Sequence, residues 1–147
     1  MMQVGVPAAV AWIRGDAAHP CLHGKVEFVP QRGGTMVIAN ICGMPDSEAG
    51  FFGFHIHAHG NCSGKDLSNT GGHYDRCGRE HPRHSGDLPP LLACGGKAFL
   101  AVVTGRFSVR DVIGRSVVIH SQPDDFKTQP SGNAGSKIAC GVICGVQ

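Results

Sequence analysis

The 147-residue sequence is poor in charge: Asp, Glu, Lys and Arg make up only 16% of it, against a usual ~25%. Long apolar runs are also missing. The longest, Ala8–Ile13, falls far short of the ~20 residues that a membrane-spanning helix needs. No Lys or Arg precedes it and Pro7 breaks the apolar segment, so it does not read as a secretory leader. The expectation is a chain that is cytoplasmic as written, or periplasmic or extracellular if a leader has been removed. No segment holds an apolar 3.6-residue period over three turns, which excludes helical bundles and coiled coils. There is no internal repeat and no low-complexity tract. A net charge of +2 is too small to point to nucleic acid. No C-x-x-C occurs among the seven cysteines, which removes the zinc-ribbon and thioredoxin signatures.

Glycine is abundant, at 22 residues or about twice the usual ~7%. That composition suits a turn-rich β protein. The length predicts one domain over 1–147. Short segments rich in Val, Ile and Phe, mostly bounded by Gly or Pro, predict strands at Ala9–Arg14, Leu22–Pro30, Thr35–Ile41, Phe51–His57, Lys97–Val103, Arg115–Ser121 and Ile138–Val142. Thr104–Arg110 is a candidate eighth, and Arg106–Ile113 reads alternatively as a short turn of helix. In Leu22–Pro30, His23, Lys25 and Glu27 fall on one face and Leu22, Val26 and Phe28 on the other. Seven or eight such strands predict an all-β antiparallel sandwich or barrel.

Two polar stretches interrupt the strands, about His59–Pro90 and Ser121–Lys137. Loops beyond ~12–15 residues are rare in compact domains unless they are functional or disordered. Something other than apolar burial must order them, and the first is full of imidazoles. Seven of the nine histidines lie between His55 and His120. In a strand, His55 and His57 project from one face ~6.5–7 Å apart, so two rings can converge on one ion. His73, His81, His84 and Asp87 fit a closed N₃O zinc site, and zinc binding contributes folding energy to a loop of this polarity. His120 ends the apolar run Val117-Val118-Ile119 and is placed to complete a set with His55 and His57. An all-imidazole set suits Cu(II).

The ordered motifs Gly53-Phe54-His55-Ile56-His57, Gly72-His73, His84-Ser85-Gly86-Asp87-Leu88, Ile113-Gly114-Arg115-Ser116-Val117-Val118-Ile119-His120, Pro123-Asp124-Asp125 and Gly132-Asn133-Ala134-Gly135-Ser136-Lys137-Ile138-Ala139-Cys140-Gly141-Val142 make the sequence resemble the copper/zinc superoxide dismutase family. The likeness runs from about Ala9 to Val142. It implies an eight-stranded antiparallel Greek-key β-barrel or sandwich, immunoglobulin-like, with two long functional loops. Copper would be held by His55, His57, His73 and His120, and zinc by His73, His81, His84 and Asp87, with His73 shared. Asp124 would hydrogen-bond His55 and His81 from behind. Cys62 and Cys140 would form the disulfide. The implied reaction converts superoxide to dioxygen and hydrogen peroxide, with copper cycling between Cu(II) and Cu(I), His73 bridging and carrying a proton, and the anion focused into a cationic pit.

The sequence departs from the family at Lys137, which stands where a guanidinium is common. Lys supplies a flexible point charge rather than a fixed fork. The alternative is that Lys137 faces solvent and Lys127 or Arg106 steers the anion. The two polar loops are shorter than in many relatives, with the shortening of the first between His81 and His84. His59 reads as a rim imidazole, with a ligand role left open; His19 and His23 read as surface residues. Cys42, Cys94 and Cys144 read as small core residues, Cys77 as a soft competitor for metal, and Cys21 is left without a role. A copper-binding or copper-buffering module of the same fold, with weak dismutase activity, is the rival function. A zinc-stabilised structural domain is disfavoured, because it gives His55, His57 and His120 no reason to converge. Membrane and nucleic-acid partners are not expected, and a homodimer is left open.

Overall fold

In the computed structural model, residues 5–147 are described. Period-two alternation of apolar side chains produces strands β1 (Ala9–Gly15), β2 (His23–Gln31), β3 (Gly34–Cys42), β4 (Phe51–Phe52), β5 (Phe54–His57), β6 (Leu91–Cys94), β7 (Lys97–Thr104), β8 (Ser116–His120) and β9 (Lys137–Gly145). They form one antiparallel sheet in the order β4-β6-β7-β3-β2-β1-β9-β8-β5. The two edge strands, β4 and β5, are consecutive in the chain with only Gly53 between them. The sheet must therefore curl round on itself, which gives the nearly closed barrel. The β3–β7 and β1–β9 pairings join strands distant in sequence, as in a Greek key.

Inward positions fill the barrel. Ala9, Ala11 and Ile13 of β1 meet Val26 and Phe28 of β2, Val37, Ala39 and Ile41 of β3, and Val117 and Ile119 of β8, all essentially fully buried. The expected single strand Phe51–His57 divides at Gly53, whose added Cβ would press on Ala134 and on the His120 side chain. β6 is absent from the sequence reading because Leu91–Cys94 is short and follows a Pro pair. Of the two readings for the segment after β7, the helical one holds: Ser108 caps a single helical turn, α1 (Val109–Val112), through a capping box with Asp111. A 3₁₀ segment spans Lys65–Thr70.

The expectation that Cys42, Cys94 and Cys144 are core residues is corrected. Cys94 and Cys144 are exposed and Cys42 is only half-buried. The pleat decides this. Ala98 and Ile143 take the inward positions, so Cys94, opposite Lys97, and Cys144, beside Ile143, turn outward. No helix among the described residues is long and apolar enough to cross a membrane.

Candidate metal centre

Phe54 and Ile56 point into the barrel, so the pleat turns His55 and His57 to its outer face, where the loops bury them. β8 pairs with β5 so that His55 faces Val118. His120, two residues further on, therefore lies on the same outer face. The first long loop returns across this face: its backbone bridges pair His57 with His73 and His55 with Asp87. A disulfide between Cys62 and Cys140 ties the start of that loop to β9.

Two overlapping groups of donor atoms result. His55, His57, His73 and His120 offer nitrogens that all lie within 4.8 Å of one another, as do donors of His55, His73, His81 and Asp87. In the first group, Nε2 of His57 and Nε2 of His120 are 3.1 Å apart. In the second region, Asp87 Oδ1 is 2.7 Å from His73 Nδ1, and Asp87 Oδ2 is 3.1 Å from both His81 Nδ1 and His84 Nδ1. His84 Nδ1 and His73 Nδ1 are 3.4 Å apart. A tetrahedron with zinc–ligand bonds of 2.0–2.1 Å has edges of about 3.3 Å, so the separations of 3.1 and 3.4 Å are the size zinc requires.

The opposite ring nitrogens are held from behind. The Asp124 carboxylate accepts from His55 Nε2 through Oδ2 and from His81 Nε2 through Oδ1, each at 2.8 Å. His57 Nδ1 donates to the Gly71 carbonyl at 2.7 Å. Such partners fix ring orientation and raise donor strength. Gly132, at φ +71°, packs so close to Asp124 and His81 that any Cβ there would overlap the Asp124 carboxylate.

Three buried nitrogens then have no hydrogen-bond partner: His55 Nδ1, His73 Nε2 and His81 Nδ1. An unsatisfied buried polar atom costs about 1–3 kcal/mol, so three in one place need a reason. All three residues belong to the donor groups, His55 and His73 to both and His81 to the second, and a cation held there satisfies the nitrogens. Burial keeps His57, His73 and His120 neutral and ready to bind metal. It pushes His57 down to about 2, against the partial opposition of the Gly71 hydrogen bond. His120 falls to about 3 and His73 to about 4, again chiefly through burial. Burial opposes ionisation of Asp124, but the hydrogen bonds from His55 and His81 outweigh it and hold the carboxyl far below its usual range. The residues present fit both a copper and a zinc ion.

The copper/zinc superoxide dismutase family model matches residues 22–143. The chain belongs to that family. Among curated proteins it is similar to superoxide dismutase [Cu-Zn] 3 of Arabidopsis thaliana, at 36% identity covering 92% of this chain and 88% of that one. It is also similar to superoxide dismutase [Cu-Zn] 2 of Aquifex aeolicus, at 33% over 82% and 78%, and to the superoxide dismutase [Cu-Zn] of Deinococcus radiodurans, at 36% over 82% and 76%.

Against this copper/zinc dismutase background, Lys137 does not face solvent. It is half-buried, and its Nζ donates to Thr70 Oγ1 at 2.8 Å and to the Gly71 carbonyl at 3.0 Å. Gly71 thus joins the Lys137 ammonium to the His57 ring. Arg106 is engaged elsewhere: its Nη1 donates to the carbonyls of Pro82, His84 and, at 3.5 Å, Asp87. Lys127 is exposed in the second polar loop. His59 is exposed, with its ring against Gly71, and belongs to neither donor group. Cys77 is exposed and outside both groups. Sequence reasoning missed Gln129, which brackets His81 by accepting from its N–H at 2.9 Å and donating to its carbonyl at 2.7 Å. It missed Thr70 and Gly71 as well. The Gly71-Gly72 pair before His73 was the only local signal for them.

Proposed function

We propose that this member of the superoxide dismutase family converts superoxide to dioxygen and hydrogen peroxide at a centre built from residues of β5, β8 and the two long loops. His55 Nδ1 and the Nε2 atoms of His57, His73 and His120 would hold copper. The Nδ1 atoms of His73, His81 and His84, with Asp87, would hold zinc. The chemistry a bound copper ion supplies is a one-electron couple between Cu(II) and Cu(I), and a bound zinc ion supplies fixed charge and order to the loop. The observation that carries the reading is the convergence of three buried, partnerless ring nitrogens on two adjoining donor groups.

The protein's own residues do the rest. His73 faces both groups, so its Nε2 is the atom that holds and hands on a proton while Nδ1 stays fixed near Asp87. Asp124 keeps His55 and His81 in register with each other. Lys137 places a positive charge at the rim, pinned to Thr70 and Gly71, where it draws in a small anion. We read 1–147 as one domain, supported by a sheet that runs from Ala9 to Gly145; residues 1–4 lie outside the described ones. A homodimer belongs to the same proposal. Its support is the outward apolar row Phe51, Leu92 and Phe99, which are 41%, 55% and 66% exposed; Phe99→Lys should shift the mass measured by light scattering to that of one chain.

The deciding experiment loads the chain with copper and zinc and follows superoxide loss against ionic strength. Fast turnover that slows with salt is expected. Turnover no faster than copper on the unfolded chain overturns the enzyme in favour of a copper-buffering module, and a salt-independent rate overturns the steering role.

A further inference from the structure

A second charged site lies outside the metal centre. The loop run Arg76-Cys77-Gly78-Arg79-Glu80-His81-Pro82-Arg83 has no part in metal binding apart from His81. With Arg106 from the β7–α1 connection, its three arginines line one surface cavity of about 340 Å³, together with Cys77 and Ser85. No carboxylate lines that cavity. Asp75 shapes the loop that carries these residues, its carboxylate accepting the backbone N–H groups of Cys77, Arg79 and Ser85 and the Ser85 hydroxyl. Asp111 engages Arg76 at 3.1 Å. No ion pair with a carboxylate involves Arg79, Arg83 or Arg106 among the described residues. Like charges concentrated this way repel unless an anion joins them, and the planar guanidinium fork matches oxyanion geometry.

We propose that this cavity binds a phosphate-type oxyanion, either the free ion or the phosphoryl group of a small ester. Its occupant joins guanidinium groups from two separate parts of the chain, the His81–His84 loop and the β7–α1 connection. Arg106 already reaches the carbonyls of Pro82, His84 and Asp87. Anion binding therefore tightens the loop that carries the proposed zinc ligands, without touching a ligand itself.

Cys77 is exposed at the cavity wall and reports occupancy directly. The test uses the copper- and zinc-loaded protein at constant ionic strength and follows iodoacetamide labelling of each free cysteine by peptide mass spectrometry. Inorganic phosphate should slow labelling of Cys77 at least fivefold, saturably, and leave Cys94 and Cys144 unchanged. Equal protection by inorganic phosphate and glycerol phosphate assigns the free ion's chemistry; stronger protection by glycerol phosphate assigns the ester. The double variant Arg79→Gln, Arg83→Gln should keep wild-type metal content and lose the protection. The proposal is overturned by no protection, by equal protection from sodium chloride, or by protection that survives in the variant. None of these readouts depends on turnover, so failure here leaves the dismutase reading standing, and the reverse also holds.

Discussion

Asp124 shows how much one side chain can hold. Its two oxygens each accept a hydrogen bond from a different ring, His55, which belongs to both donor groups, and His81, which belongs to the second. Asp124→Asn keeps the shape but can accept through only one atom, so one imidazole loses its partner. Affinity for both metals should fall by roughly 10–100-fold, measured by competition with a chromophoric chelator. His84→Ala and His120→Ala should separate the two ions, the first costing zinc and the second copper and turnover, as read by metal analysis after dialysis. At Lys137 the residue type itself matters. Lys137→Ala removes the rim charge and frees the Gly71 carbonyl that orients His57. The superoxide rate should drop roughly tenfold and its salt dependence flatten.

Among the elements, the first long loop has little apolar surface of its own, and its order comes from three fastenings. The Cys62–Cys140 bridge closes 78 residues, Arg106 holds three carbonyls, and the metals would supply the third. Closing a loop of this length contributes about 4 kcal/mol in the chain-entropy account. Cys140→Ser should lower the melting temperature of the metal-free chain by roughly 10 °C, measured by calorimetry. The strands were mostly legible, because alternation is a local signal. β1, β2, β3 and β7 follow their predicted segments to within a residue or so. The break at Gly53 and the short β6 were not legible. The first answers to Ala134 and His120, which are distant in sequence, and the second is held by pairing with β7 and β4 and by Leu91 in the core.

For the whole molecule, protons compete with folding in the metal-free state. His57, His73 and His120 are depressed to about 2, 4 and 3 from an ordinary 6.5. Below pH 6.5 the unfolded chain therefore binds more protons than the folded one, and stability rises with pH there. The metal-free protein should be most stable above about pH 6.5. It should lose stability progressively as pH falls through the His73 value near 4, as followed by thermal melts across pH 4–8. Loading with copper and zinc should raise the melting temperature, since a ligand at 100 times its dissociation constant adds about 2.7 kcal/mol.

The sequence alone determined the types of donor and their order: H-x-H on a strand, three more imidazoles and a carboxylate in one loop, and a histidine closing a later strand. Those are local facts, fixed by residue chemistry and by the two-residue pleat. It left open which ring nitrogen turns inward, whether Lys137 meets solvent or the loop, what Arg106 touches, and which cysteines are covered. Each of those depends on groups tens of residues apart. Only the curl that brings β4 and β5, the opposite edges of one sheet, back together, with the loops laid across its outer face, sets the distances between them.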